Sequence, residues 1–384
     1  MSSEENPYKM LHVLHMIDSL SIGGAEKLLV TFANVARIRQ VDVTIVSLRH
    51  IANTPIPDEL MQLGARVRIF HANKLLHPYR LWQLISFLRK RSIDVLQTHL
   101  SSANILGSLA GRLTKRPVVA TLHNIITAQK SRPPMRHQLE TWALRYGAHH
   151  IVAVGQNVAE AHQSRVGHTL ISVVANAVGP PPPLSLPERT AIRTRLIGDT
   201  DRTLLISVGS LTPQKGFTDL LDAFALLRQS HPAVVLVIAG GGHLRDHLDT
   251  RIRQLQLQEH VFLLGPRHNV PALLAASDIY VSSSHWEGLP ISILEAMAAG
   301  LPIVATRVGD ISCLVPANSG ILVPPKQPTV LAQALNALCD DTQCQRTYGV
   351  AAKAHVTQYY NASIWVDRLL AVYKEAQASA SPHR

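Results

Sequence analysis

Short apolar segments of four to eight residues alternate along the chain with segments whose apolar residues recur at helical spacing. In the first half, helical spacing is clear over residues 25–36 and 81–91. Alternating strand and helix patterns predict βαβ units, in which helices cover both faces of a parallel sheet. We therefore predict a Rossmann-like α/β domain with strands over residues 11–17, 41–48, 67–70, 95–98, 118–122 and 151–154.

A second alternating series follows a proline-rich segment and predicts a second domain of the same class. Its strand-like runs are 204–208, 234–239, 261–264, 279–282, 303–305 and 321–323. Prolines at 180–183 separate the two series, and proline favours a stiff, extended connector. We therefore expect an N-terminal domain (1–178), a linker (179–200), a C-terminal domain (201–355) and a terminal helix (356–384) that packs back toward the N-terminal domain.

Length and composition fit a globular protein of two domains. The chain has 384 residues, of which 46% are hydrophobic and 16% charged, and its longest apolar run, 233–239, is far shorter than a membrane span. Residues 1–6 are polar and acidic, unlike a secretory signal peptide. Cys313, Cys339 and Cys344 form no CxxC pair, so neither a disulfide framework nor a zinc site is indicated. We expect a cytoplasmic protein.

Positive charge is concentrated in the first half of the chain. Residues 1–180 contain 20 Lys and Arg against 10 Asp and Glu, whereas the remainder contains 17 against 16. A basic domain attracts phosphates, nucleic acid or an anionic membrane surface, and composition does not choose among them. The segment 81–91 is apolar with a basic end, which is typical of a membrane-surface helix, but its spacing fits a helix buried on a sheet better.

Two carboxylates, Glu287 and Glu295, lie around the start of an otherwise apolar predicted helix. Pro290 suits the first helical position and Gly300 a left-handed stop, and Pro302 forbids continuation, so a helix is predicted over about 289–299. A carboxylate in such surroundings is unfavourable unless something hydrogen-bonds to it, and sugar hydroxyls are suitable partners. In the simpler interpretation, Glu287 interacts with the helix dipole and Glu295 reaches solvent.

The string EGLPISILEAMAAGLP at 287–302 closely resembles the EGLPxxxxEAMAxGxP signature of retaining glycosyltransferases of family 4. The resemblance extends over essentially the whole chain. It implies a GT-B fold, in which two Rossmann-like domains with parallel sheets face each other across a cleft, the N-terminal one on the acceptor side and the C-terminal one binding a nucleotide-sugar. It also implies that Glu287 and the backbone of Gly288, Leu289 and Pro290 hold the transferred sugar, and that Glu295 holds the ribose.

Two further segments are predicted to face the donor diphosphate. Gly23 and Gly24 open the first predicted helix, where backbone N–H groups attract phosphate, although a tight turn is the simpler interpretation. The string VGSLTPQKG at 208–216 resembles the family's VGRLxxxKG segment, whose Arg and Lys neutralise the diphosphate. Lys215 matches that Lys, with an ordinary solvated lysine as the alternative. Ser210 stands where the Arg is common, so a hydrogen bond is expected there instead of a charge.

His99 and His123 each end a predicted strand of the N-terminal domain. The carboxyl ends of strands in open α/β sheets face the ligand crevice, but a structural or surface role is the commoner outcome for one of 20 histidines. His123 belongs to a TLHN string similar to the family's T-x-H segment, which implies that it approaches the donor sugar near the reaction centre. His99 and Asn124 are expected to line the cleft.

The resemblance therefore implies a retaining, metal-independent glycosyltransferase with His123, Glu287 and Lys215 as its catalytic residues. Its donor is expected to be UDP- or GDP-linked and its acceptor a glycan or lipid-linked intermediate of cell-surface polysaccharide synthesis. We expect no cofactor and no nucleic acid, and a peripheral contact of the basic domain with the inner face of an anionic membrane.

Three alternatives remain open from the sequence. A GT-B nucleotide-sugar epimerase would isomerise the donor without an acceptor. A non-catalytic nucleotide-sugar sensor is compatible with Ser210. A nucleic-acid-binding protein would explain the basic half, although no recognised nucleic-acid motif or interleaving of aromatic and basic residues supports it.

Overall fold

The computed structural model describes residues 10–52, 54–125, 134–198 and 202–380, and these form two α/β units. The N-terminal unit comprises the chain up to Ala175 together with the segment from Ala362 onward, and the C-terminal unit comprises Asn176–Asn361. Each unit has a parallel sheet with the strand order of a Rossmann-like domain, which confirms the predicted fold class. Residues 1–6, from which the absence of a signal peptide was argued, lie outside the described residues.

The sheet of the N-terminal unit contains every strand predicted for it. The strands are β1 (His12–Ile17), β2 (Asp42–Ser47), β3 (Arg66–Ile69), β4 (Val95–His99), β5 (Val118–Leu122), β6 (His150–Ala153) and β7 (Ile171–Val173). In the described residues they run parallel in the order β3-β2-β1-β4-β5-β6-β7. The order reverses between β1 and β4, where α/β sheets bind their ligands. Strand β7 was not predicted, because three residues offer too little pattern to recognise.

Six helices of the N-terminal unit follow these strands in turn within the described chain. They are α1 (Gly24–Ile38), α2 (Ile56–Gln62), α3 (Pro78–Lys90), α4 (Ser101–Thr114), α5 (Pro134–Tyr146) and α6 (Gln156–Val166). Helix α3 packs on α4, and α4 on α5. The apolar side chains of these helices pack against the sheet and form one core with it, which includes Leu14 of β1, Leu84 of α3 and Leu106 of α4. Packing of helices on a parallel sheet buries its strands, which explains the continuously apolar strand runs.

The C-terminal unit repeats the same architecture. Its strands are β8 (Leu204–Val208), β9 (Val235–Ala239), β10 (Val261–Gly265), β11 (Ile279–Ser282), β12 (Ile303–Thr306) and β13 (Gly320–Val323), paired in the order β10-β9-β8-β11-β12-β13. Its helices are α7 (Leu186–Ile197), α8 (Phe217–Ser230), α9 (Arg245–Gln254), α10 (Val270–Ala276), α11 (Ile291–Ala298), α12 (Ile311–Leu314), α13 (Pro328–Asp340) and α14 (Thr342–Tyr359). Helices α8 and α13 pack together over the core.

The predicted linker 179–200 is not extended throughout, because it contains helix α7. Ser185 caps this helix: its Oγ accepts the N–H of Glu188 at 3.4 Å, while Glu188 Oε2 accepts the N–H of Ser185 at 2.9 Å. Pro187 lies in the first turn, where its missing N–H is not needed. Arg193 of α7 then pairs with Asp278 at 3.0 Å, so α7 belongs to the C-terminal unit.

The chain returns to the N-terminal unit through α15 (Ala362–Ala380). Trp365 and Tyr373 of α15 are buried beside Phe32 of α1, and Arg39 pairs with Asp367 through two hydrogen bonds of 2.8 and 2.9 Å. The predicted terminal segment 356–384 begins inside α14, whose residues remain in the C-terminal unit. No helix in the described part of the chain has the length and apolar character to cross a membrane.

Candidate active site

The helix predicted over about 289–299 is α11 (Ile291–Ala298), and it is shorter than expected. Pro290 is its N-cap with an extended ψ of 120°, not its first helical residue. The proline ring fixes φ alone, so ψ stays free to orient the Pro290 carbonyl, which accepts the N–H of Leu294 at 3.4 Å. Gly300 has a φ of +82° and ends the helix as predicted. Glu287 therefore precedes the helix and Glu295 lies within it.

Glu287 is buried, and its carboxylate is held by three side chains of the C-terminal unit. Lys215 Nζ lies 2.5 Å from Oε1, Ser284 Oγ donates to Oε1 at 2.7 Å, and Gln214 Nε2 donates to Oε2 at 3.2 Å. The chain itself thus supplies partners that the sequence argument assigned to sugar hydroxyls. A carboxylate has about four lone-pair positions, so three bonds leave capacity for a further hydroxyl donor.

Lys215 is brought to Glu287 by a tight turn between β8 and α8. Residues Pro213–Lys215 form one turn of 3₁₀ helix, and Gly216 follows with a φ of +58°. A side chain at Gly216 would collide with the Ser283 carbonyl, 2.2 Å from the Cβ position, while Ser283 Oγ donates to the Lys215 carbonyl at 2.8 Å. The Lys215 side chain passes over Gly209, where a Cβ would lie 2.9 Å from Cε. Both glycines therefore fix the path of the lysine.

The loop before α11 is held by two neighbouring segments to which the sequence assigned no role. Asn176 Nδ2 donates to the Leu289 carbonyl at 2.8 Å, and the Asp310 N–H donates to the Gly288 carbonyl at 3.1 Å. Gly309, with a φ of +54°, approaches so closely that a Cβ would lie 2.2 Å from the Glu287 carbonyl. These contacts fix the backbone that is predicted to contact the sugar.

Tyr280 is a buried residue of this site that sequence reasoning missed, since it has the pattern of an ordinary strand residue of β11. Its hydroxyl donates to the Val208 carbonyl at 3.4 Å. Burial raises the pKa of Tyr280, the hydrogen bond with Ser292 opposes this rise, and the charges of Glu287 and Glu295 add to it. The charges of both glutamates therefore affect the pKa of the same side chain, Tyr280. Glu295 is partly buried.

Ser210 follows β8 and Gly209 directly and is exposed, with its Oγ 3.3 Å from Thr212 Oγ1. Lys215, the cation predicted to face the diphosphate, pairs with Glu287 in this structure. The diphosphate role of both residues stays a prediction.

The predicted glycine loop of the N-terminal unit lies against the carboxylate of Glu26, a residue of α1. Gly23 is the extended N-cap of α1, and Gly24 begins the helix and is exposed. Glu26 folds back toward this loop: Ser21 Oγ donates to its Oε1 at 2.7 Å, and a Cβ on Gly23 would lie 2.6 Å from its Oε2. Burial raises the pKa of Glu26, and the hydrogen bonds from Ser21 oppose that rise. No role for Glu26 was predicted from the sequence.

His99 contacts both His123 and a third histidine, His15, for which the sequence predicted no role. His15 Nδ1 lies 3.0 Å from His99 Nε2, and His99 Nδ1 lies 3.2 Å from His123 Nε2. His15 and His99 are buried and His123 is partly buried. Asn124 contributes its carbonyl to His162 Nε2 at 3.1 Å. Across the described residues, no group of three or more His, Cys, Asp and Glu side chains is arranged to hold a metal ion.

Two family models match consecutive parts of the chain. The family described as Glycosyltransferase Family 4 matches residues 22–180, and the one described as Glycosyl transferases group 1 matches residues 188–355. The chain is 30% identical over 271 residues to UDP-Gal:alpha-D-GlcNAc-diphosphoundecaprenol alpha-1,3-galactosyltransferase of Escherichia coli, covering 67% of this chain and 69% of that protein. It is 28% identical over 313 residues to D-inositol 3-phosphate glycosyltransferase of Jonesia denitrificans, covering 75% and 73%.

Solved structures share the two-unit α/β fold over most of the chain. HepE of Anabaena in complex with UDP-glucose aligns with a TM-score of 0.85 at 24% identity, covering 95% of this chain and 99% of that one. Sucrose-phosphate synthase of Thermosynechococcus elongatus aligns with a TM-score of 0.80 at 18% identity, covering 96% and 100%.

Proposed function

Because the chain belongs to the glycosyl transferases group 1 family, with a glycosyltransferase family 4 N-terminal half, we propose that this glycosyltransferase moves a sugar from a nucleotide-sugar to a hydroxyl acceptor with retention at the anomeric carbon. The observation that carries the proposal is the fixed carboxylate of Glu287. Three donors orient it, and the adjoining loop is held by Asn176 and Asp310. A preorganised acceptor of this kind suits the hydroxyls of one bound sugar.

The proposed roles follow the family resemblance. In the C-terminal unit, Glu287 and the backbone of residues 288–290 hold the sugar, Glu295 holds the ribose, and Lys215 and Ser210 hold the diphosphate. Support for the lysine is its position in the turn that follows β8, on the carboxyl side of the sheet. In the N-terminal unit, the proposed contacts are His123 with the sugar and Gly23 and Gly24 with the diphosphate. In this arrangement the start of α1 faces two anions, the carboxylate of Glu26 and the donor diphosphate.

The proposed reaction is a front-face displacement. The bond between the anomeric carbon and the diphosphate oxygen breaks, and the acceptor oxygen forms its bond on the same face. The proton of the acceptor hydroxyl passes to the leaving diphosphate, so no protein base is consumed and Glu287 is not a nucleophile. Lys215 exchanges part of its interaction with Glu287 for the developing negative charge of the leaving group. We propose that no divalent metal takes part.

For the acceptor, we propose a lipid-linked glycan intermediate in cell-surface polysaccharide synthesis, used at the cytoplasmic face of a membrane. The relative of E. coli carries a diphosphoundecaprenol acceptor in its name. Residues 71–150 contain 12 Lys and Arg against two Asp and Glu, and one of the two acids, Glu140, is buried in an ion pair with Arg165 at 3.0 Å. This charge attracts anionic lipid.

Exposed aromatic rings lie within the same basic stretch. Tyr79 and Trp82 of α3 are 60% and 62% exposed, and Trp142 and Tyr146 of α5 are 43% and 58% exposed. Helices α3, α4 and α5 pack side by side. We name the four rings and the exposed Arg89, Lys90, Arg112 and Arg145 of these helices the aromatic–basic surface. Trp and Tyr side chains favour the membrane–water interface.

The proposal is tested by replacing Glu287 with Gln, which keeps the side-chain size and removes the charge. We expect the rate of sugar transfer to fall by roughly a hundredfold or more, since a charged hydrogen-bond acceptor for the transition state is lost. Release of nucleoside diphosphate and formation of glycosylated acceptor are measured together, with the donor alone as a parallel reaction.

The matched control is Glu259→Gln, an exposed glutamate of the same unit, which should transfer sugar at the normal rate. Near-normal transfer by the folded E287Q variant would refute the assignment of Glu287. Isomerised sugar from the donor alone would show an epimerase instead.

A further inference from the structure

The three joined histidines form a diagonal row across neighbouring strands. In the pairing of β1 with β4, His99 is opposite Ile17, two residues beyond His15. In the pairing of β4 with β5, His99 is opposite Thr121, two residues before His123. Because side chains on one face of a sheet recur every two residues, all three rings lie on the same face. From His15 through His99 to His123, each ring lies closer to the carboxyl edge of the sheet. The central ring uses its two nitrogens for two different neighbours, so the row is a chain of hydrogen bonds.

Each ring in this row is neutral near pH 7. Burial lowers the pKa of His15 to about 3 and that of His123 to about 4, and burial with its two histidine neighbours holds the pKa of His99 well below the ordinary value. A neutral imidazole has one N–H, which donates, and one bare nitrogen, which accepts. With one proton per ring, both hydrogen bonds form in two arrangements only, and each arrangement fixes all three tautomers.

We call His15 the inner end of the row and His123 its outer end. In the first, outward arrangement, each ring donates its N–H toward the outer end. His15 Nδ1–H donates to His99 Nε2, His99 Nδ1–H donates to His123 Nε2, and His123 keeps an Nδ1–H beyond the row. In the second arrangement every proton moves to the other nitrogen of its ring. His123 then presents a bare Nδ1, and His15 carries an N–H at Nε2.

The inner end of the row decides between the two arrangements. His15 Nε2 is buried and has no hydrogen-bond partner among the described residues, and the edge-to-face neighbour of the ring is Phe32 at 4.4 Å. The inward arrangement would leave a buried N–H there without an acceptor, whereas the outward arrangement leaves a lone pair. Among backbone groups, buried N–H groups without an acceptor are rarer than carbonyls without a donor, and we expect the same preference for an imidazole N–H and a bare ring nitrogen. The outward arrangement is therefore the stable one.

We propose that His15 and His99 are positioning residues that hold His123 in its Nδ1–H tautomer, so that His123 presents a fixed hydrogen-bond donor at the carboxyl end of β5. The ligand assigned to this donor, a hydroxyl oxygen of the transferred sugar, rests on the proposed function. The tautomer itself does not. His123 Nδ1 makes no hydrogen bond with the described residues, so it is available to a ligand.

The first test measures the tautomers in the full chain without ligand. Two-bond nitrogen–proton NMR correlations on protein with ¹⁵N-labelled histidine distinguish the two ring nitrogens, and assignment uses single His→Gln variants of the three residues. We expect His15, His99 and His123 all to be Nδ1–H tautomers at pH 7. An Nε2–H tautomer at His123 would overturn the proposal. This readout needs no turnover, so it still decides the tautomer if the wild-type protein transfers no sugar, a result that would overturn the proposed function alone.

The second test removes the donor at the inner end of the row. His15→Phe keeps a flat ring without any N–H, so His99 loses the bond that sets its tautomer, and His123 should become a mixture of tautomers. We expect kcat to fall roughly tenfold, the effect of about one hydrogen bond, with less change in the donor KM. His15→Asn is the matched control, because its amide N–H₂ can occupy the position of Nδ1 and donate to His99.

The expected result is that His15→Asn restores both the Nδ1–H signal of His123 and a kcat within about threefold of wild type. A His15→Phe variant with an unchanged His123 tautomer and unchanged kcat would overturn the proposal. So would equal losses in the Phe and Asn variants with the His123 tautomer intact, since that pattern indicates a packing role.

Discussion

The phosphate end of the proposed donor site has one cation where the family commonly has two. Lys215 is paired with Glu287, and Ser210, which replaces the common Arg, is exposed beside Thr212. A guanidinium offers two parallel, charge-assisted hydrogen bonds to a phosphate, whereas a hydroxyl offers one neutral hydrogen bond. At the scale of single residues, this chain should therefore hold a nucleoside diphosphate more weakly than a relative with the arginine.

Replacing Ser210 with Arg is expected to tighten the binding of UDP or GDP by roughly tenfold, because a bidentate charged contact replaces a neutral one. Isothermal titration calorimetry with the nucleoside diphosphate measures the change. Ser210→Gln adds length without charge and serves as the control, with an affinity near that of wild type. Equal affinities in all three proteins would show that position 210 does not face the phosphates.

At the scale of secondary-structure elements, the helix layer of α3, α4 and α5 has two distinct sides. Its inner side buries Leu84 and Leu106 against the sheet, as helical spacing required. Its outer side bears the aromatic–basic surface, which helical spacing alone did not reveal, because exposure depends on which helices are neighbours. The apolar segment 81–91 thus combines a buried face with the exposed ring of Trp82.

A double variant, Tyr79→Ala with Trp82→Ala, is expected to bind vesicles of phosphatidylglycerol and phosphatidylcholine about tenfold more weakly than wild type, because two interfacial rings are lost. Co-flotation with the vesicles measures binding. Added salt should also weaken wild-type binding, since the lysines and arginines act through charge.

The control for this surface is Tyr359→Ala, which removes a tyrosine that is 52% exposed on α14 of the C-terminal unit. It should bind as wild type does. Wild-type binding that is equally strong to pure phosphatidylcholine, or a double variant that floats as well as wild type, would contradict the proposed membrane contact.

At the scale of the whole molecule, a donor that binds the folded chain stabilises it by mass action. At a concentration one hundred times its Kd, the free energy of unfolding rises by about 2.7 kcal/mol. Among UDP- and GDP-sugars, we expect one to raise the melting temperature by roughly 5 °C or more. Because charge neutralisation is assigned to side chains and backbone, EDTA should leave both this shift and the transfer rate unchanged.

The measurement is a thermal-shift panel of nucleotide-sugars, repeated with EDTA and with EDTA followed by excess Mg²⁺ or Mn²⁺. The nucleotide without its sugar distinguishes recognition of the base from recognition of the sugar. A loss of stabilisation and turnover in EDTA that added metal restores would contradict the metal-independent reaction.

The sequence by itself determined the features that depend on local pattern. Alternating apolar runs and helical spacing predicted two parallel-sheet domains, and only the three-residue strand β7 was missed among the strands of the described residues. Gly300 was predicted as a helix stop because a left-handed backbone favours glycine. The bounds of α11 and the helix α7 were not predicted correctly, since proline restricts φ without deciding ψ and a capping box can start a helix directly after a proline-rich stretch.

Tertiary structure alone decided which polar groups meet. Two of the three partners of Glu287, Gln214 and Lys215, lie more than 70 positions away, and His15 meets His99 across 84 positions. Such contacts arise from strand order and register, which place distant strand ends side by side, and no local spacing encodes them. The sequence could identify the residue types for sugar chemistry. Their hydrogen-bond partners, and with them the orientation of each group, were set by the packing of the sheets.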